Sequence, residues 1–205
     1  MNSFKNRTLG LLCSVLILGS TSGLADDTFK KSTTLDALVA IDGAQALVAV
    51  VQVVDEEGTL PFKLADLLAD KNTKTILFAP SNSAFESLLG LDPGTLDGLS
   101  IGTIRELLLS GNVPLPEGVT LEDVQQILLQ HASRPDKFKK KTASIGALIQ
   151  QGSVEMADGD ELPVGIGGSG GRINYEASVT ASDVYTKNGV IHFLDAVIVN
   201  DALDD

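Results

Sequence analysis

A chain of 205 residues, 43% of them hydrophobic, with a mean hydropathy of +0.19, has enough apolar material to offset the ordering entropy of folding. This excludes a disordered protein. Its 27 Asp and Glu outnumber 15 Lys and Arg for a net charge of −12, a field that repels phosphate backbones and excludes nucleic acid as a partner.

Lys5 and Arg7 precede an apolar run over residues 9–19, followed by small residues and Gly23-Leu24-Ala25. This pattern predicts a secretory signal peptide over residues 1–25. The apolar stretch is about half the ~20 residues that a spanning helix needs, so no transmembrane anchor is expected in the mature chain. Leu11 and Leu12 stand ahead of Cys13, which does not suit lipid attachment. Cleavage would leave a thiol-free chain, two units more acidic than −12, in the periplasm, at the cell surface or in the medium. Residues 26–32 read as a short N-terminal segment, 33–200 as one domain without a dividing linker, and 201–205 as an acidic tail.

Helical periodicity dominates the first two thirds of the mature chain. Thr33, Thr34 and Asp36 mark a helix start, and apolar residues from Leu35 to Val54 recur at helical spacing with a break at Asp42-Gly43. Leu64, Leu67 and Leu68 predict a short helix, and residues 75–79, apolar or β-branched up to Pro80, a buried strand. Ser83 and Glu86 have capping-box spacing for a helix carrying Phe85, Leu88 and Leu89. Ile101, Ile104, Leu107 and Leu108 form the next amphipathic segment. Thr120 and Asp123 open another, with Leu121, Val124, Leu128 and His131 along one face.

From Thr142 onward, Gly, Asp and Asn punctuate segments rich in Val and Ile, a pattern that predicts hairpins. Asp158-Gly159 and Asn188-Gly189 read as two-residue hairpin loops, and the second launches a central strand over 190–199. Helices first and hairpins last make an α+β chain.

Two segments carry a family likeness. Residues 75–85, Thr-Ile-Leu-Phe-Ala-Pro-Ser-Asn-Ser-Ala-Phe, and residues 188–197, Asn-Gly-Val-Ile-His-Phe-Leu-Asp-Ala-Val, resemble the two signature segments of the fasciclin (FAS1) domain. The resemblance covers residues 33–200 as a single copy. It implies a seven-stranded β-sandwich with helices packed along one edge. It assigns Thr75, Phe78, Pro80, Asn82, Phe85, Asn188, Gly189, His192 and Asp195 to the structural signature. Family members often place a Tyr-His pair between the signatures. Here Gln130-His131 stands there, and the missing tyrosine weighs against integrin-type adhesion. Residues 111–120 and 134–141 differ in length or composition from the usual domain.

His192 lies in an apolar strand and must satisfy its ring nitrogens internally, with Asn82 the expected partner. His131 reads either as a helix-end histidine favoured by the helix dipole or as an exposed contact. Two histidines 61 positions apart, with no ligand spacing around them, predict no metal site. Residues 165–171 satisfy G-x-G-x-x-G, but a strand-like segment follows, so they read as a hairpin loop. No nucleophile elbow is present, and nothing argues for catalysis. Arg134, Lys137, Lys139, Lys140 and Lys141, with Phe138 among them, form either a solvated loop or a contact for an anionic glycan or acidic partner. The resemblance then implies a non-catalytic, exported binding or adhesion module. Its expected partner is a cell-surface or matrix protein or glycan, met through His131, Lys137, Phe138, Lys139, Lys140 and Lys141. The alternative is a carrier of a small apolar ligand, a carotenoid or lipid; no other cofactor is expected.

Overall fold

The computed structural model describes residues 27–58, 63–111, 119–167 and 170–199. The expected signal peptide, residues 112–118 of the unusual connection and the acidic tail lie outside the described residues.

Four helices surround the first strand in sequence: α1 (Thr34–Ala40), α2 (Gln45–Glu57), α3 (Leu64–Ala69), then β1 (Thr75–Pro80) and α4 (Asn82–Leu88). The Thr33 hydroxyl and Asp36 carboxylate form a capping box at the start of α1, satisfying amide groups that the first helical turn leaves without partners. The Gly43 turn, at φ +91°, separates α1 from α2 as the Asp42-Gly43 break predicts. At α4 the expected capping box is replaced. Ser81 caps the helix by accepting from the Ala84 amide, while buried Glu86 accepts from the Gly94 and Leu96 amides at 2.9 and 2.7 Å. A carboxylate on the buried side of a short helix meets a loop more readily than its own N-terminus.

Next come α5 (Ile101–Leu109), α6 (Leu121–Gln130), two 3-10 turns (Pro135–Lys137 and Lys140–Thr142) and α7 (Ile145–Gln151). The hairpin pattern expected from Thr142 onward is wrong at α7. Ser144 caps that helix, Leu148 buries one face, and Gly152 ends it in the left-handed conformation. The strands β2 (Ser153–Glu155), β3 (Glu161–Gly167), β4 (Gly170–Ile173), β5 (Ala177–Tyr185) and β6 (Gly189–Leu194) complete the chain.

The expectation of seven strands also needs correcting. Among the described residues there is one curled six-stranded sheet in the order β1-β6-β5-β4-β3-β2. Between its two edges runs the segment 131–134, present only as isolated bridges from Ala132 to Leu77 and from Ser133 to Met156. The Ser133 amide donates to the Ile76 carbonyl at 2.8 Å and the Ala157 amide to the Ala132 carbonyl at 2.8 Å. Both edges thereby gain partners for otherwise open backbone groups.

Pleating explains the two cores, because neighbouring residues of β1 and β6 face opposite ways. Leu77, Ala79, Ile191 and Phe193 meet the core built on α1 to α6. Ile76, Phe78, Val190 and Leu194 meet a second core inside the curl, with α7 and β2 to β5. Helices α1 to α6 therefore cover a face of the β1–β6 pair rather than one edge.

Both hairpin signals mark turns, with adjusted geometry. Residues 156–160 join β2 to β3: the Met156 amide donates to the Asp160 carbonyl, the Gly159 amide donates to the Met156 carbonyl, and Gly159 sits at φ +101°. That is a turn followed by a left-handed glycine bulge, which suits the twist of the strands. Between β5 and β6 the loop is Lys187-Asn188, closed by Thr186 and Gly189, so Gly189 already belongs to the strand. β6 ends at Leu194 rather than 199, and Asp195 leaves the sheet.

Candidate functional site

The expected binding residues divide between two sides of the sheet. His131 is the C-cap of α6, but it is 1% exposed, which removes the expectation of an exposed contact. Its Nδ1 donates to the Ile127 carbonyl at 2.6 Å, and its Nε2 accepts from the Ile198 amide at 3.1 Å. Burial lowers its pKa from 6.5 to about 4, against the raising effect of the Ile127 bond. The imidazole is therefore neutral at pH 7, and the macrodipole argument for a protonated ring loses to desolvation.

Beside His131 lies a cleft with apolar walls, lined in part by Val50, Phe85, Leu108, Ile127 and Val197. Its cavity volume is about 50 Å³, and the cleft is partly open to solvent. Both ring nitrogens of His131 are already engaged, so the histidine offers this space no free hydrogen-bonding group.

Lys137, Phe138, Lys139, Lys140 and Lys141 stay together as a ridge on the other side of the sheet. Phe138 is half-buried against the second core. Upstream, the Glu155 carboxylate receives Arg134 at 3.0 Å and Lys137 at 2.8 Å. The hydrogen bond to Glu155 holds the Lys137 ammonium above its ordinary pKa, and that to Asp136 does the same for Arg134. Lys139, Lys140 and Lys141 are exposed and form no ion pair among the described residues.

The signature residues hold the scaffold around both places. Asn82 does not pair with His192 as expected. Its Oδ1 accepts from the Ala46 amide at 2.9 Å and its Nδ2 donates to Gln45 at 3.0 Å, tying α4 to the start of α2. His192 instead donates from Nε2 to the Ala143 carbonyl at 3.0 Å and accepts at Nδ1 from the Asp183 amide at 3.2 Å. The Thr75 hydroxyl donates to the Ser133 carbonyl at 2.9 Å, and Phe78 lies tilted against the His192 ring at 5.6 Å. Pro80 and Phe85 line the apolar cleft. Asn188 accepts from the Thr34 amide and donates to the Leu68 and Asp70 carbonyls. Gly189 lies against Thr75, where a Cβ would meet the carbonyl oxygen at 2.3 Å. Asp195 accepts from the Ser178 amide at 2.7 Å.

The family comparison fits this geometry, since the Fasciclin domain model matches residues 61–200. The chain belongs to the fasciclin domain family. Protein sll1483 of Synechocystis sp. (strain ATCC 27184 / PCC 6803 / Kazusa) is 29% identical over 177 residues, covering 84% of this chain and 83% of that protein. The solved FAS1 domain pair from the insect cell adhesion molecule fasciclin I matches with a TM-score of 0.59 at 14% identity, over 84% of this chain. This fasciclin chain spans 52% of that solved chain, and the likeness shows the fold alone.

Neither Glu155 nor Asp183 stands out in the fasciclin sequence by type. The available signal for Asp183 is a phase change in β5: apolar residues fall at 177, 179 and 181, then at 184. The structure has register shifts there, with Asp183 at φ 62°, so the bulge turns a backbone amide toward His192. The cleft draws residues from α2, α4, α5 and α6, a convergence that no local pattern encodes. No helix among the described residues is long and apolar enough to cross a membrane.

Proposed function

We propose that this fasciclin domain is a non-catalytic binding module acting outside the cytoplasm, and that it contacts a cell-surface or extracellular protein or glycan through the ridge at residues 137–141. The observation that carries this reading is the set of exposed lysines, Lys139 to Lys141, standing without ion pairs among the described residues on a chain of net charge −12. Acidic surroundings would draw counter-charges into ion pairs, as Glu155 draws Arg134 and Lys137. A positive patch left open on such a chain can steer an anionic partner locally while the remaining surface repels nonspecific polyanions. Family membership supports a binding role, and the solved relative comes from a cell adhesion molecule. Export rests on the charge and apolar pattern of residues 1–25.

The test is retention of residues 26–205 on an immobilised sulfated polysaccharide. Wild type should bind at low salt and elute as salt rises, and the triple alanine variant at Lys139, Lys140 and Lys141 should lose about tenfold or more in affinity. Equal retention of the two proteins would overturn the assignment of the ridge.

A second reading, carriage of a small apolar ligand such as a carotenoid or lipid, is favoured by the apolar cleft beside His131. Its walls are apolar side chains, the lining that suits a hydrocarbon ligand. Solvent extraction of protein purified from its native host should then release a coloured or lipid species, and Ile127→Asp should abolish its recovery.

A further inference from the structure

The ridge is held at both ends. Upstream, the Arg134 amide donates to the Glu155 carbonyl at 3.1 Å, and the two ion pairs to Glu155 add to that bond. Phe138 is anchored in the second core. Downstream, the 3-10 turn Lys140–Thr142 runs directly into Ala143, whose carbonyl receives the buried His192 ring. Asp183 then closes a ring of hydrogen bonds. Its amide donates to His192 Nδ1, and its Oδ1 accepts from the Ile145 amide at 3.0 Å, at the first turn of α7.

One side chain and one backbone group of a strained residue thus fix the chain on both sides of Ser144. Asp183 keeps this geometry at φ 62°, a region that Asp tolerates better than most residues but that still costs energy. Three neighbouring lysines repel one another, and without a fixed backbone they would spread apart in solvent.

We infer that Asp183 and His192 are positioning residues: they latch Ala143 and Ile145 and so present Lys139, Lys140 and Lys141 as a preformed site for an anionic polysaccharide. This rests on the binding reading above. Polysaccharide fits better than an acidic protein because Phe138 packs on the core. The ridge then lacks the exposed aromatic anchor that protein interfaces use. A charge-rich ligand with little apolar surface asks only for ordered cations, and ordering them beforehand removes part of the entropy cost of binding.

The experiment compares wild type, Asp183→Gly and Asp183→Asn. Glycine accepts the positive φ and keeps the amide bond to His192, so the fold is retained while the carboxylate bond to Ile145 is lost. Asparagine keeps a side-chain carbonyl that can accept from Ile145. Trypsin cleavage after Lys139, Lys140 and Lys141 reads ridge opening without any ligand, and retention on dextran sulfate reads binding. Asp183→Gly should be cut about tenfold faster there and bind dextran sulfate several-fold more weakly, with Asp183→Asn restoring both. Unchanged cleavage in Asp183→Gly would overturn the latch, and faster cleavage with unchanged binding would overturn its positioning role. Should wild type and the triple lysine variant bind dextran sulfate equally, the ridge itself is refuted as the site, and the cleavage rates still decide whether the latch exists.

Discussion

Asn188 shows how much a single buried amide can organise. It is fully buried, its Oδ1 accepts from the Thr34 amide at 2.7 Å and the Thr34 hydroxyl at 3.1 Å, and its Nδ2 donates to the Leu68 and Asp70 carbonyls, both at 3.0 Å. The N-terminus of α1, the end of α3 and the loop into β6 meet on that one side chain. Asn188→Asp keeps the shape but places a carboxylate oxygen against two carbonyl oxygens. The added charge is buried, and a lost donor leaves acceptors unsatisfied. Urea unfolding at neutral pH should show a loss of about 3 kcal/mol or more, and a loss below about 1 kcal/mol would contradict the network.

At the scale of elements, the parallel pairing of β1 with β6 is the joint of the fold, because its strands are more than 100 residues apart in the chain and divide the two cores. Thr75 pairs with Gly189, and the contact leaves no room for a side chain. Gly189→Ala should therefore displace the start of β6 and cost several kcal/mol in thermal unfolding, roughly 3 kcal/mol by comparison with other overpacked cores. Gly152→Ala is the contrast: nothing lies within 4 Å of the added methyl, but φ is +86°, so only conformational strain of about 1 kcal/mol is expected. Similar losses for the two variants would argue against the close β1–β6 approach. The strands of this joint are legible in the sequence because both faces are buried and the runs are continuously apolar. Helix α7 is less legible, since seven residues including Gly146 offer one apolar repeat among turn-forming neighbours. The lysine ridge is visible as a run of one residue type, whereas its anchors Glu155 and Asp183 belong to distant strands. Sequence spacing says nothing about which carboxylate folding will bring to a given loop.

At the scale of the whole molecule, the two histidines make the fold sensitive to acid. Each is buried and neutral, each donates from one ring nitrogen to a carbonyl, and each accepts a backbone amide at the other. A proton added to the accepting nitrogen turns an amide–imidazole bond into a donor facing a donor. Burial lowers the pKa of both; for His192 the Asp183 charge and the Ala143 bond oppose the shift, and for His131 the value falls to about 4. The unfolded chain, with histidines near 6.5, therefore binds more protons than the folded chain between that value and about 4. The stability conferred by a neutral His131 is complete above the unfolded value and lost as pH falls through the folded one, a change of about 3 kcal/mol. Acid has an opposing effect, because protonating exposed carboxylates relieves the repulsion of a chain with net charge −12. That repulsion acts between solvated charges and is screened at moderate salt, while the histidine effect lies in the core and is not. Unfolding free energy measured by urea in moderate salt should thus fall as pH drops from about 6.5 to 4.5, with a slope approaching 1.4 kcal/mol per pH unit from His131 and a further contribution of the same sign from His192. His131→Gln, which retains a donor and an acceptor but does not titrate, should be less stable at pH 7 and show a shallower slope. A wild-type profile that stays flat or rises on acidification would mean that surface charge, and not the buried imidazoles, governs the response of this fold to pH.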